Sequence, residues 1–570
     1  ISLRIFPNDS VNRRGICADT TYNDRIMTLA PRFLINFWAG YRVAGFNRRI
    51  KSLGRGISAQ EKTFRKLMAK TARTEFGRAH GLNPNTSYAQ FRESVPVRTY
   101  AYFEPLIQRM MAGEPGVLTP ERCVFFVETA NTTGDCPKLL PAPEGMLQHF
   151  RNALRDTLFL YAARAAHNGV FLGRHLHTGA STMLIAEKGS YRTSLDGMLT
   201  LCLTPWVEAN LRSPIPAVAQ MAEGSEKIRA TAQCMVGRDV TLVAGTPASV
   251  YALSLAGREA ASSGKRRMTT LQAMWPNLEC FFHFGAPLGL YAESLRATLG
   301  PTVNFHEMYS AAEGIIAAQD EGNAGALRLL SDSGLFFEFL PLRDFHEETL
   351  ANAGALCVPL EHVASGVDYV LLLTTPAGLC RYVPGDIVRF VSVDPPRLQF
   401  VGRTQLQLNS FGERVTEREL LESLLVVCQR NGWQPVSFHV APYHYRAAAG
   451  RAISCHEWWL EFRTHPMKTP TANAIAPELD AELIHRNPEY AAKRANHALE
   501  LPTVRLVVPG LFEQWARGQG NISRVSKIPS CRSDRLIADQ LAQFTRFHQV
   551  LPDNFTTNDP HTTMPGRTPL

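Results

Sequence analysis

The sequence predicts an α/β protein in two unequal parts, a large N-terminal domain of sheets covered by helices and a smaller C-terminal α+β domain. Three observations predict it. A chain of 570 residues is too long for one hydrophobic core. Between about residues 170 and 390, short apolar runs such as 240–244, 280–284, 335–340 and 369–374 alternate with helical stretches, the pattern of a sheet with helices on its faces. The pattern changes at Phe400-Val401-Gly402-Arg403, after which Thr416 and Glu419 form a capping box ahead of Leu420, Leu421, Leu424 and Leu425.

Taken in order, residues 1–24 are polar and predict a disordered N-terminus. Helical patterning runs from Ile26 to about His80. Residues 123–127 (CVFFV) read as a buried strand. Met146, Phe150, Leu154 and Leu158 recur at four-residue spacing, which predicts a helix with one apolar stripe. The large domain is expected to span 25–403 and the small one 404–548, and the polar, proline-containing residues 549–570 predict a disordered tail.

Composition excludes several classes. The apolar fraction of 45% and charged fraction of 19% are those of a soluble globular protein. The net charge of +9 is spread along the chain rather than gathered in a block, which argues against nucleic acid or membrane as partner. Eleven scattered cysteines without a C-x-x-C pair fit reduced thiols. No signal-peptide pattern is seen, and the apolar stretch 26–46 is broken by Pro31, Arg32 and Arg42. A cytoplasmic setting is expected.

Four segments can carry chemistry. Residues 128–141 (ETANTTGDCPKLLP) follow the 123–127 strand and precede a helix, where hydroxyls, amides and a lysine can surround an anion. A polar turn is the other reading. Residues 307–314 (EMYSAAEG) offer Glu313 as a Mg²⁺ ligand, since Mg²⁺ takes one or two carboxylates plus phosphate oxygens, and Tyr309 as a surface for a base. A helix start is the alternative. In 379–388 (LCRYVPGDIV), Asp386 has two acceptor oxygens for a ribose diol or simply belongs to a turn. Residues 520–532 (GNISRVSKIPSCR) hold Lys527, within reach of a phosphate or merely solvated. His175 and His177 have no third ligand nearby, Ser181 and Ser190 lie in no G-x-S-x-G, and no G-x-G-x-x-G follows a strand.

The order of these segments is the informative feature: a hydroxyl-rich loop, then Y-x-x-x-E-G, then Y-x-x-G-D, then G-R and a late lysine. It resembles the adenylate-forming superfamily of ligases. More specifically the chain resembles the auxin-responsive acyl-acid amido synthetase family, which joins plant hormones and other carboxylic acids to amino acids. Residues 74–82 (TEFGRAHGL), 95–106 (VPVRTYAYFEPL), 336–342 (FFEFLPL) and 408–417 (LNSFGERVTE) are similar to that family too. The likeness covers about residues 50 to 545.

The resemblance implies ATP and Mg²⁺ as cofactors, and a small carboxylic acid and an amine as substrates. It implies that Thr132, Thr133, Gly134 and Lys138 contact ATP phosphates, that Tyr309 lines the adenine pocket, that Gly314 belongs to the ATP site, that Glu313 holds the metal and that Asp386 binds the ribose. Lys527 would approach the α-phosphate from a mobile small domain, with Arg403 at the junction; Lys138, Arg403 and Lys527 are the catalytic candidates. Asn131 stands where the family's loop usually has glycine, Ala311 and Ala312 where it reads small-Ser-Glu, Gln405 where the superfamily often has an acid or lysine, and Asp135 adds a charge. The expected activity is ATP-dependent amide formation through an acyl-AMP. The alternatives are an acyl-CoA-forming ligase and a degenerate nucleotide- or acyl-binding homologue.

Overall fold

The computed structural model describes residues 31–129, 138–187, 189–261, 268–322, 325–446, 452–463, 471–518 and 528–548. The N-terminal helical patterning resolves into helices Arg32–Leu53, Ile57–Thr71 and Glu75–Ala79. The third starts where the Thr74 side chain accepts a hydrogen bond from the Gly77 amide, relieving one of the unpaired donors of a helix start.

The strands in chain order are β1 (Phe125–Glu128), β2 (Leu139–Pro141), β3 (Arg174–His177), β4 (Ile185–Glu187), β5 (Ser190–Ser194), β6 (Arg212–Ser213), β7 (Val240–Gly245), β8 (Cys280–Phe284), β9 (Asn304–Ala311), β10 (Gly314–Ala318) and β11 (Leu327–Leu329). They continue with β12 (Phe336–Pro341), β13 (Val358–Pro359), β14 (Asp368–Thr374), β15 (Asp386–Val393), β16 (Pro396–Arg403), β17 (Gln407–Leu408), β18 (Val415–Thr416), β19 (Pro435–Arg446), β20 (Ala452–Phe462) and β21 (Thr503–Val507). The apolar runs read from the sequence at 123–127, 240–244, 280–284, 335–340 and 369–374 correspond to β1, β7, β8, β12 and β14.

Twelve strands form one sheet in the order β13-β12-β14-β15-β16-β11-β10-β9-β8-β7-β3-β6. From β6 to β9 the neighbours are parallel, and from β9 to β13 they are antiparallel. Buried on both faces, β7 and β14 are near-continuous apolar runs, as a helix-covered sheet requires. Helix Glu144–Ala165 packs on this sheet through Met146 and Phe150, with Leu154 and Leu158 partly buried beside them. A second sheet, β2-β1-β5-β4, carries the 128–141 segment between its first two strands.

The segment 307–314 is not a helix start. Residues from Asn304 to Ala311 and from Gly314 to Ala318 form the β9–β10 hairpin. Tertiary pairing overrides the helical tendency of its alanines, because β10 is wholly buried between β9 and β11.

Beyond Arg403 the chain builds a three-stranded sheet, β19-β20-β21, with its own core of Leu420, Leu424, Val427, Val440 and Trp458. Helix Glu417–Asn431 starts on the predicted capping box: Thr416 accepts from the Glu419 amide, and the Glu419 side chain accepts from the Thr416 amide. Arg418 crosses back to Gln399 on β16 at 2.9 Å, and Arg463 to the Tyr251 hydroxyl at 3.0 Å.

Candidate active site

Tyr309, Glu313, Gly314, Asp386 and Arg403 of the predicted residues converge around the β9–β10 turn, next to the strand where the main sheet changes from parallel to antiparallel. Tyr309, 9% exposed on β9, donates its hydroxyl to Asp386 Oδ2 at 2.5 Å. Asp386 opens β15 and pairs in register with Arg403, the last residue of β16, whose Nε lies 3.4 Å from Asp386 Oδ1. Glu313, in the turn, accepts a hydrogen bond from the Tyr382 hydroxyl at 3.0 Å. The Tyr309 ring meets Phe400 edge-on at 5.6 Å.

Two supports fix this corner. Gly314 has φ +150°, and a Cβ there would come within 2.8 Å of both Leu335 and His149, so the turn requires glycine. His149, from helix Glu144–Ala165, is buried beside it. Its Nε2 accepts from the Ile315 amide and its Nδ1 donates to Ser333 O, both at 2.9 Å. These partners define a neutral tautomer, and burial lowers the imidazole to about 4.

The second support is Arg381, which takes a positive φ of 50° and is fully buried. Its guanidinium donates to both oxygens of Glu338 (3.1 and 3.2 Å) and to the carbonyls of Arg92, Val95 and Gly354. Tyr88 adds a further hydrogen bond to Glu338 at 3.0 Å. The segment that carries Tyr382 and Asp386 is thereby anchored to β12 and the N-terminal helices.

The electrostatics are those of a carboxylate pair in a low-dielectric corner. Burial, and then the charge of Asp386, raise the Glu313 carboxyl above its usual range, while the Tyr382 hydroxyl and the Lys138 charge pull it down. Burial and the same Asp386 carboxylate push the Tyr309 phenol far up, which keeps it a donor. Burial alone would lower Arg403, but Asp386 and Glu417 outweigh it and hold the guanidinium up. Glu417, the first residue of its helix, is raised by burial against the pull of Arg403, and accepts from the Ser530 hydroxyl at 2.7 Å. Ser530 belongs to a short segment tied to β19: its carbonyl accepts from the Val440 amide, and the Pro529 carbonyl from His439, each at 2.8 Å.

Lys138 immediately precedes β2, the return strand of the 128–141 segment. Its backbone exchanges hydrogen bonds with Thr129, accepting from the Thr129 amide (2.8 Å) and donating to Thr129 Oγ1 (3.1 Å). Its ammonium sits 5.5 Å from the Tyr100 ring centroid. Thr132, Thr133 and Gly134, with Asn131 and Asp135, lie outside the described residues, as does Lys527.

Of the predicted site residues, the structure therefore brings together Lys138, Tyr309, Glu313, Gly314, Asp386 and Arg403. Among the described residues no three His, Cys, Asp or Glu side chains cluster as a ready-made metal site. A buried carboxylate with a second acid beside it still suits Mg²⁺, which relies on phosphate oxygens for most of its shell. Sequence reasoning missed His149, the roles of Tyr382 and Glu417, and the Arg381–Glu338 anchor. Tyr382 alone carried a signal, as the first residue of Y-x-x-G-D.

The mixed sheet is the fold of the adenylate-forming ligases. The 2-hydroxyisobutyryl-CoA ligase in its postadenylation state superposes with a TM-score of 0.54 at 14% identity, covering 86% of this chain and 91% of that one. The fold of the AtGH3.15 acyl acid amido synthetase in complex with 2,4-DB is nearer, with a TM-score of 0.69 at 18% identity over 85% of this chain and 93% of that one.

Family models narrow this further. The GH3 family N-terminal, central and C-terminal domains match residues 50–201, 328–403 and 423–535. The chain belongs to the GH3 family. Its relatives include the probable indole-3-acetic acid-amido synthetase GH3.12 of Oryza sativa subsp. japonica, 24% identical over 83% of this chain and 90% of that protein. The jasmonoyl–L-amino acid synthetase JAR4 of Nicotiana attenuata is 22% identical over 63% of this chain and 71% of that one.

Proposed function

We propose that this protein is an ATP- and Mg²⁺-dependent acyl-acid amido synthetase. It activates a small carboxylic acid as its acyl adenylate and transfers the acyl group to an amine, in our reading an amino acid. The observation that carries this is the single buried corner in which Glu313, Asp386 and Arg403 meet, with Lys138 acting on Glu313, in a GH3 framework.

The chemistry follows from the residue types. A carboxylate is a poor acyl donor because its leaving group would be oxide. Attack of a carboxylate oxygen on the α-phosphorus of ATP releases pyrophosphate and turns that oxygen into part of a good leaving group. The amine then attacks the acyl carbon, the C–N bond forms and AMP departs. Glu313 would hold Mg²⁺, which neutralises phosphate charge as it develops. Asp386 accepts the ribose hydroxyls, with Tyr309 and Arg403 fixing its carboxylate, while Tyr309 and Gly314 line the adenine side. Lys138, with Thr132, Thr133 and Gly134, holds the phosphates. Lys527 approaches the α-phosphate from a unit spanning 404–548 that moves against 25–403 and shields the adenylate from water. The separate hydrophobic cores on either side of Arg403 support this division. Nine free cysteines among the described residues suit a cytoplasmic setting, and no helix among the described residues is long and apolar enough to cross a membrane.

The test is exchange of labelled pyrophosphate into ATP across a panel of carboxylic acids, followed by product analysis with amino acids or CoA. Acid-dependent exchange and an amide product are expected. A thioester as sole product would point to the acyl-CoA ligase chemistry named for the solved structure of the same fold, and ATP binding without exchange would identify a degenerate homologue.

A further inference from the structure

The parallel strands β3, β7, β8 and β9 end side by side, and a cavity of ≈ 70 Å³ lies against those ends. Ligands in open α/β sheets gather at this edge. Leu154, Leu199, Phe282, Phe284 and Met308 make an apolar wall. Met308 immediately precedes Tyr309, so the cavity and the nucleotide corner share strand β9.

The polar side of the cavity divides into groups already committed and groups left over. Lys227 Nζ donates to the carbonyls of Gly179, Ala180 and Ala219, each at 2.9 Å. Asp196 accepts from the Ala180 amide at 2.9 Å. These two hold the rim. His177, exposed at the end of β3, lines the cavity and has no hydrogen-bond partner among the described residues. Arg212 is 8% exposed, and its ion partner is Glu208 at 3.4 Å, a carboxylate half in solvent at 51%. A cation as buried as Arg212 with so weak a counter-charge is a costly arrangement unless something completes it.

We propose that this cavity is the acyl subsite, and that it selects a short carboxylic acid bearing a second carboxylate, held by Arg212 and His177. It rests on the adenylating reading of the neighbouring corner. The planar guanidinium offers paired donors matched to a carboxylate. His177 contributes a hydrogen bond from the exposed end of β3. One cation therefore matches one added negative charge, a carboxylate rather than a phosphate dianion. The apolar wall takes the methylenes between the two carboxyls. A dry cavity that admits benzene is about 150 Å³, so a volume of ≈ 70 Å³ suits an aliphatic spacer and not a fused ring.

The experiment is calorimetric binding of succinate and butanoate to the full chain with Mg²⁺ and a non-hydrolysable ATP analogue, alongside pyrophosphate exchange with the same acids. Succinate is expected to bind at least about tenfold more tightly than butanoate and to support exchange. Arg212→Met should erase that preference, His177→Leu should reduce it, and Arg212→Lys should keep part of it, all with unchanged thermal midpoints. Butanoate or indole-3-acetate binding as well as succinate would overturn the subsite, as would an Arg212→Met variant that keeps the preference. Exchange with other acids but not with succinate would overturn the subsite and leave the ligase standing. Exchange with no acid would remove the ligase, and the calorimetric preference would still decide the subsite.

Discussion

Two arginine–carboxylate pairs stand on the same sheet and are built to opposite specifications. Arg381–Glu338 is closed: both side chains are at most 1% exposed, and three backbone carbonyls and the Tyr88 hydroxyl take up the remaining donors and acceptors. Arg403–Asp386 is looser. Its Nε–Oδ1 distance is 3.4 Å, Arg403 is a third exposed, and Asp386 keeps acceptor capacity beyond the Tyr309 bond. A saturated pair can only hold the chain; an unsaturated one can also hold a ligand. The same chemistry is thus an anchor at one end of the 381–386 segment and, in the proposed function, a ribose-binding group at the other.

Substitutions can break that contrast. The largest stability effect belongs to the closed pair. Arg381→Met leaves Glu338 buried and unpaired and should cost about 3–5 kcal/mol, read as a drop in the urea midpoint. Adding Glu338→Leu should recover part of the loss; a single variant with the wild-type midpoint would remove the anchor. At the open pair the loss should fall on activity. Asp386→Asn should slow pyrophosphate exchange on the order of a hundredfold while the urea midpoint stays close to wild type.

Glu313→Gln should abolish Mg²⁺-dependent exchange and also change the pH dependence of stability. Because burial holds this carboxyl above its usual range, the native chain keeps a proton that the unfolded chain releases. Stability from this group is full below the ordinary carboxylate range and falls as pH rises through that range towards the native value. The glutamine variant lacks that fall, so its advantage over wild type in urea titrations should grow from acid to neutral pH; a constant difference would refute the assignment. The smallest effect is Tyr382→Phe, which removes one donor to Glu313 and should cost about 1 kcal/mol, a several-fold loss of exchange.

Legibility in the sequence followed the range of the interactions. The Thr416–Glu419 box lies within one helical turn, and both of its reciprocal bonds are present. Strands such as β7 and β14 were readable because full burial writes an unbroken apolar run. The β9–β10 hairpin was harder, since Ser310, Ala311 and Ala312 give no alternation and its pairing comes from β8 and β11. His149 was invisible because its partners, Ser333 and Ile315, are far along the chain and nothing local distinguishes it from a core residue. Arg381 was hidden in the same way. It looked like one more charge beside a turn, and only folding brings it to Glu338 and the Arg92–Val95 carbonyls. Tyr309, Glu313 and Asp386 were found through motif order rather than through any property of a single segment.

The Thr129–Lys138 pairing has a consequence for how the 130–137 segment can vary. Two hydrogen bonds, continuous with the β1–β2 ladder, set the separation of the segment's ends. The entropy of bringing those ends together is met by the hairpin, whatever residues lie between. In the proposed function, substitutions between those ends, such as Asn131 for glycine, should act on nucleotide affinity first. A series of loop variants should then shift ATP affinity while the urea midpoint set by the hairpin holds.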